Sequence, residues 1–177
     1  MRSLAWILLG AVLSFQVVSI LQEWPTFAAA WTGAPRVPAR VALTSEERQG
    51  AERTLHEFHA LSRHLYASGA DPRFTERLPA SPGVVEELLA DVAYLQHRGL
   101  AQDARLVRLD VVAARPSGET SVVLDTREYW IVHVTTAGSG DPTGPARSRV
   151  FSGTYRLDQA GGRWRVGAWD VVDEAAP

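Results

Sequence analysis

The chain has 177 residues, 46% of them hydrophobic and 21% charged, which suits one globular domain with a short additional segment. All 18 basic residues are arginine and 20 residues are acidic, so the net charge is −2. This balance argues against a nucleic-acid-binding protein, which needs clustered positive charge. The absence of cysteine excludes disulfides, thiolate metal ligands and a cysteine nucleophile.

The N-terminal 24 residues have the pattern of a membrane-inserting segment. Arg2 precedes an uncharged run over residues 4–21. A helix of this length spans roughly 27 Å, close to the thickness of the hydrocarbon layer. One positive charge before the run favours a cytoplasmic N-terminus and an extracytoplasmic remainder. We therefore predict that residues 1–24 form an uncleaved signal anchor in the membrane. The alternative is a signal peptide cleaved near Ala30, which gives a secreted protein.

A linker and an amphipathic helix follow the predicted anchor. Residues 25–43 contain several prolines and are predicted to be a semi-rigid linker, and residues 44–177 are predicted to be the folded domain. Its first helix is expected over residues 44–66. Thr44 and Glu47 have the spacing of a capping box there, and apolar residues recur every three or four positions.

A second helix is predicted to begin at Ser81, which has the residue type of an N-cap and is followed by proline. It is expected to end at Gly99. The connection over residues 71–80 contains two prolines and is predicted to be a loop.

The remaining sequence has the two-residue period of β-strands. Short connections rich in glycine and proline separate the segments, so the strands are expected to be antiparallel neighbours. We predict strands over residues 106–113, 119–136, 147–157 and 164–172. Helices followed by a strand meander indicate an α+β fold, with two helices packed on a curved antiparallel sheet of about four strands.

The last two strands carry a family resemblance. Residues 153–158 (Gly-Thr-Tyr-Arg-Leu-Asp), a Gly-Gly turn and residues 163–172 (Arg-Trp-Arg-Val-Gly-Ala-Trp-Asp-Val-Val) resemble the final hairpin of nuclear transport factor 2-like domains. The segment 85–132, which includes Glu128-Tyr-Trp130, resembles the subgroup found in the intermembrane-space part of plastid-division proteins and in related bacterial proteins of unknown function. The resemblance implies a cone-like sheet wrapped around helices. Members range from isomerases to binding scaffolds, so the fold does not decide the activity.

The long central strand supplies the first candidate site residues. Glu128 lies between Thr126 and Trp130 on an apolar face. It is therefore predicted to be buried and to need a partner such as Arg149 or Arg156. The alternative is a carboxylate that lines a pocket and contacts a ligand.

The opposite face of this strand carries Asp125, Tyr129 and His133. Isomerases of the resembling superfamily use an Asp base and a Tyr-assisted oxyanion hole, so these residue types give an enzyme alternative, an isomerase or dehydratase with a polar site in the cone. The competing prediction is an exposed sheet face on which charged residues pair across strands.

Aromatic residues complete the candidate site. Trp164 and Trp169 fall on opposite faces of a regular strand unless Gly167 forms a bulge, and both are predicted to pack in the core. An exposed tryptophan would indicate a partner surface. The predicted ligand- or partner-binding residues are Glu128, Tyr129, Trp130, His133, Tyr155 and Trp169.

Histidines in the first helix raise the question of a metal site. His56 and His59 lie on adjacent turns, and His64 follows. Two histidines at this spacing can share a metal, but no third ligand is evident, so a solvated polar helix face is predicted. We predict no metal, no cofactor and no catalytic set.

These patterns together predict a membrane-anchored, extracytoplasmic domain without catalytic activity. It is expected to bind a protein partner in a membrane complex or a small apolar ligand, and to bind no nucleic acid. The isomerase- or dehydratase-like enzyme is the alternative.

Overall fold

Two long helices and a four-stranded antiparallel sheet dominate the described chain. The computed structural model describes residues 42–174, so the predicted anchor, the cleavage site near Ala30 and most of the linker lie outside the described residues. The elements are α1 (Ser45–Ser68), α2 (Pro72–Thr75), α3 (Pro82–His97), β1 (Leu100–Pro116), β2 (Ser121–Thr136), β3 (Arg147–Ala160) and β4 (Arg163–Glu174). The predicted α+β class is confirmed. Within residues 42–174, no helix is both long enough and apolar enough to cross a bilayer.

Both long helices begin where their caps predict. The Thr44 hydroxyl accepts from the Glu47 amide at 3.2 Å, and the Thr44 amide donates to the Glu47 carboxylate at 2.9 Å, which completes the capping box. Ser81 caps α3. α1 ends at Ser68 because Gly69 follows with a φ of 92°.

The predicted loop over residues 71–80 contains a one-turn helix, α2. Asp71 is its N-cap and accepts from the Arg73 amide at 2.9 Å, and Pro72 occupies the first helical position. The prediction of an entirely irregular connection is therefore wrong over this turn.

The sheet has the order β1-β2-β3-β4, and every neighbouring pair is antiparallel. We call the face that packs against α1 and α3 the inner face and the opposite face the outer face. The predicted start of the first strand is wrong, since β1 begins at Leu100 and pairs from there with Thr136. This part of β1 contains polar residues such as Asp103, so the hydrophobic pattern does not indicate a strand there. Its strand conformation comes from backbone pairing with β2.

A bulge at Gly167 decides where the tryptophans of β4 lie. The β3–β4 register shifts at this position, which leaves Gly167 as an extra residue. A Cβ atom there would overlap the Asp158 carboxylate. Trp164 and Trp169 both pack against the hydrophobic core, as predicted for a strand with a bulge.

The core fills the space between the helices and the inner face. Several large side chains from both layers have no solvent exposure: Leu55, Phe58, Leu65, Leu88, Leu124, Leu157 and Val166. Burying such side chains is the main source of folding free energy. The helix side chains of this core therefore cover the inner face of the sheet where they pack against it.

Candidate functional site

A buried carboxylate lies at the centre of the inner face. Glu128 is only 2% exposed. It accepts hydrogen bonds from Tyr155 Oη at 2.7 Å, Trp130 Nε1 at 2.9 Å and Thr126 Oγ1 at 3.0 Å. Thr126, Glu128 and Trp130 alternate along β2 and therefore share a face, and Tyr155 reaches the carboxylate from β3. These bonds offset the large cost of removing a charge from water.

His59 approaches the same carboxylate from α1. Its Nε2 atom lies 3.4 Å from Glu128 Oε1. This nitrogen is buried and makes no hydrogen bond. The ring packs edge-on against Trp130 and Tyr155, with centroid distances of 5.3 and 5.5 Å. His59 therefore contributes an aromatic contact between the helix and the sheet beside the carboxylate.

The surroundings set the charge of this cluster. Burial by itself raises the pKa of Glu128, but the neighbouring His59 and the hydrogen bonds from Tyr155 and Trp130 outweigh burial, so that the pKa lies below its usual 4.5. Burial and the charge of Glu128 raise the pKa of Tyr155 well above 10.0. Glu128 is therefore ionised and Tyr155 neutral at neutral pH. A carboxylate with a low pKa and with both oxygens bonded is a weak general base.

Gly153 makes room for the cluster. A Cβ atom at this position in β3 would lie 2.7 Å from Thr126 Oγ1 and 3.1 Å from Glu128 Oε1. Both distances are shorter than ordinary van der Waals contact, so a larger residue would displace the carboxylate or its donors. A glycine at position 153 thus fits a structural role for Glu128.

The sequence predicted that Glu128 is buried, and it is, but its expected partners were wrong. Arg149 pairs instead with Asp173 at 2.8 Å, and Arg156 pairs with Asp158 at 3.3 Å. Neutral donors on the inner face take the place that an arginine was expected to fill.

The solvated helix face predicted for the histidines is wrong for His59, which is buried. His59 lies four residues after Leu55 and three before Ser62, on the buried stripe of α1, so helical spacing was the signal that could have placed it. His56 is exposed. Within residues 42–174, no cluster of three or more His, Cys, Asp or Glu side chains could hold a metal ion.

The residues of the enzyme alternative do not meet in the interior. Asp125, Tyr129 and His133 lie on the outer face, opposite to Glu128 along β2. Asp125 is paired with Arg115, and the Arg108 guanidinium lies 5.2 Å from the centroid of the Tyr129 ring. This is the cross-strand arrangement that the sequence offered as the competing prediction.

Trp169 belongs to a second, partly buried polar group. Its Nε1 atom donates to Glu87 at 2.9 Å, and Tyr66 Oη donates to Asp91 at 3.3 Å, one turn further along α3. Burial raises the pKa of Asp91 to about 6, helped by the charge of Glu87 and opposed by the Tyr66 hydrogen bond. These contacts connect α3 with α1 and β4. Trp169 therefore helps to pack the layers together.

An open groove of about 960 Å³ lies on the surface between α1, residues 75–80, the start of α3 and the β3–β4 hairpin. Trp164, Leu78, Ala80 and Val85 form the less exposed part of its lining. Its exposed lining carries seven charged residues: Arg53, Glu57, Glu76, Arg77, Glu86, Arg163 and Arg165. None of the six predicted binding residues lines this groove.

Comparison with known proteins identifies a fold. No protein-family model and no curated protein matches the chain. The intermembrane space region of the chloroplast protein ARC6 is similar in structure, with a TM-score of 0.60 and 12% sequence identity over 79% of this chain and 100% of that one. A de novo designed β-sheet protein covers 73% of this chain and 92% of its own, at a TM-score of 0.43 and 15% identity. A protein from Catenulispora acidiphila covers 72% and 94%, at a TM-score of 0.43 and 13% identity. The ARC6 similarity agrees with the plastid-division-like resemblance at the level of the fold.

Proposed function

We propose that this chain is a membrane-anchored domain of the nuclear transport factor 2-like superfamily that binds a protein partner outside the cytoplasm and does not act as an enzyme. The observation that carries the proposal is the saturation of Glu128. The Glu128 carboxylate accepts hydrogen bonds from Thr126, Trp130 and Tyr155, and so it is not free to bind a ligand.

The packing of the interior supports the same conclusion. Small-molecule sites are concave spaces of about 300–1,000 Å³ with a few polar groups that point into them. Here the inner face around Glu128 is covered by Phe58, His59 and Tyr155, each of which is buried. A substrate could reach the carboxylate only after these side chains had moved. The residue types that suggested an isomerase, Asp125 and Tyr129, lie on the other face.

Two further observations support a role at a membrane. The uncharged run over residues 4–21 has the length of a spanning helix, and the folded domain follows it in the chain. The ARC6 region with the same fold is an intermembrane-space region, which is a domain presented to a non-cytoplasmic compartment. A tethered domain with a closed interior and an open surface groove is well suited to hold a partner protein in a membrane complex.

Affinity capture of the full-length chain from gently solubilised native membranes tests this proposal. The intact mass of the captured chain and the identity of its partners are measured by mass spectrometry. We expect an uncleaved chain with a partner protein in stoichiometric amount. A mass that begins near Trp31, with no partner and with a small molecule retained, would instead support the secreted ligand-binding protein.

Enzymatic activity is tested on the same preparation. Glu128→Gln, which removes the buried charge, should recover the partner as wild type does once the fraction of folded protein is matched. Conversion of a carbonyl or hydroxyl substrate by the wild-type chain, lost in Glu128→Gln, would overturn the non-catalytic assignment.

A further inference from the structure

We propose that the surface groove is the docking site for an acidic segment of the partner protein, whose carboxylates pair with Arg53, Arg163 and Arg165 around Trp164. We call these four residues the basic end of the groove. The inference rests on the proposed function, because it assigns the surface and the chemistry of the partner that the domain binds.

The arginines of the groove differ from most others in the domain by their lack of partners. Seven arginines, all outside the groove, form ion pairs with Asp or Glu: Arg48, Arg73, Arg108, Arg115, Arg127, Arg149 and Arg156. Arg53, Arg77, Arg163 and Arg165 line the groove, and none of them forms an ion pair or side-chain hydrogen bond within residues 42–174. Their capacity to bind carboxylates is therefore unused.

Two elements bring the basic end together. Arg163 and Arg165 flank Trp164 in β4. The Trp164 indole lies directly against α1 at Gly50, where a Cβ atom would be 2.7 Å from its Nε1 atom. Arg53 follows Gly50 by one helical turn. Arg53 of α1 and Arg163 and Arg165 of β4 thus line one groove together with the partly exposed Trp164.

This combination suits a protein partner. A guanidinium group presents a planar set of donors that matches a carboxylate in two parallel hydrogen bonds. Tryptophan and arginine are the residue types that contribute most often to the energetic centre of protein interfaces. The chain contains no lysine, so the presence of arginine carries no weight by itself. The unpaired arginines are significant because they line the same groove as Trp164.

The other charges of the groove restrict the class of partner. Glu57, Glu76 and Glu86 also line it, and the whole chain has a net charge of −2. A nucleic acid or an extended anionic lipid surface would meet these carboxylates and be repelled. A short acidic stretch of polypeptide can occupy the basic end while its neighbouring residues avoid or complement the glutamates. Charge complementarity therefore favours a local acidic segment over a polyanion.

Site-specific photo-crosslinking in native membranes tests the inference. A photoreactive amino acid is placed at position 163 of the full-length chain, and the control chain carries it at position 105. Arg105 is a matched control because it is also exposed and unpaired but lies on β1, away from the groove. We expect crosslinks from position 163 to an acidic segment of another protein, and a yield at least about tenfold lower from position 105.

Charge reversal provides the second measurement. Partner recovery with the full-length Arg163→Glu/Arg165→Glu chain should fall by about tenfold or more, whereas Arg105→Glu should recover the partner as wild type does. Arg163→Gln/Arg165→Gln, which adds no negative charge, should give a smaller loss in the same direction. Resistance of each variant to protease verifies that the domain is folded.

Several results would overturn the inference. Crosslinks from position 163 to lipid, to a second copy of this chain or to a basic segment would do so, and so would equal yields from the two positions. Undiminished capture of the partner by the double charge-reversal variant would show that the groove is not the docking site, but it would not contradict the proposed function. Failure of the wild-type chain to capture any partner would instead refute the proposed function itself.

Discussion

Substitution of Glu128 by glutamine separates the charge of the buried carboxylate from its shape. The amide keeps one oxygen as an acceptor and replaces the other with a donor. If the amide oxygen of the glutamine accepts the hydrogen bonds from Tyr155 and Thr126, its amide nitrogen faces Trp130 Nε1. Both of these nitrogens are donors, so neither can bond to the other. Loss of a charged hydrogen bond and an unsatisfied buried donor should together reduce the free energy of unfolding by about 2–3 kcal/mol.

A double-mutant cycle of Glu128 and Tyr155 tests whether this loss of stability comes from the hydrogen bond between the two side chains. Tyr155→Phe deletes the donor of the 2.7 Å bond and should cost about 1.5–3 kcal/mol, as expected for a hydrogen bond to a charged group. In the Glu128→Gln background the same change should cost about 1 kcal/mol less, because the two groups act on each other. Tyr129→Phe is the matched control on the outer face of β2 and should change stability by less than about 0.5 kcal/mol.

Pulse proteolysis of the full-length chain in mild detergent, over a series of urea concentrations, measures the folded fraction. The pKa of Glu128 is lower in the folded state, so its contribution is complete above the usual value of 4.5 and is lost as the pH falls through the folded-state pKa. The difference between wild type and Glu128→Gln should therefore shrink below about pH 4.5. Equal stability of the two chains at neutral pH, or strict additivity in the cycle, would refute the structural role of the carboxylate.

Three further substitutions probe other parts of the domain. Asp91→Asn should stabilise it by about 1 kcal/mol at pH 7, less than the full pKa shift implies because Asp91 still contacts solvent. The raised pKa of about 6 makes the folded state lose stability as the pH rises from 3.8 to 6, so identical unfolding curves of Asp91→Asn and wild type at pH 7 would contradict this. Gly153→Ala should cost about 1–3 kcal/mol in the urea assay, whereas Gly83→Ala, whose new Cβ atom meets nothing within 4 Å, should cost nothing. Gly50→Ala should displace Trp164 and reduce partner recovery without unfolding the domain, and unchanged recovery would argue against the basic end.

Local sequence features predicted the start of both long helices well, because an N-cap is formed by residues that are close together in the sequence. The Thr44–Glu47 capping box and the Ser81 N-cap each involve groups three residues apart, and both occur as expected. The bulge at Gly167 was also accessible, as an alternative, because glycine in the middle of a strand often marks one. Periodicity and caps were therefore sufficient for the α+β class.

Only part of the surroundings of Glu128 could be predicted from spacing. A buried carboxylate needs donors, and arginine is the obvious type, but the donors here are Thr126 and Trp130 on the same strand and Tyr155 on the next strand. The ring of His59 packs beside them from a helix that precedes the sheet by many residues. Tyr155 lies 27 positions away from Glu128, and His59 is further still. Only the pairing register of β2 with β3 and the path of α1 bring these groups together, and both are properties of the whole fold.

The groove was missed for a related reason. Its residues come from α1, the α2–α3 connection and the β3–β4 hairpin, and each segment appears in the sequence as an ordinary solvated surface. Arg53, Arg163 and Arg165 lack the carboxylate that accompanies most other arginines of the domain, and they line the same groove. Such an absence is visible only when the neighbours in space are known.

The location of unused hydrogen-bonding capacity separates the two candidate sites. In the interior, Glu128 has both oxygens occupied by donors of the domain, and His59 Nε2, which lies beside it without a hydrogen bond, is enclosed by aromatic rings. A ligand there would have to replace bonds that already exist, and would gain little. At the groove, the guanidinium groups of the basic end are exposed and unpaired, so a partner carboxylate would replace water and not an existing bond of the domain. The proposed recognition therefore belongs to the surface, whereas the buried cluster joins β2 to β3 and packs against His59 of α1.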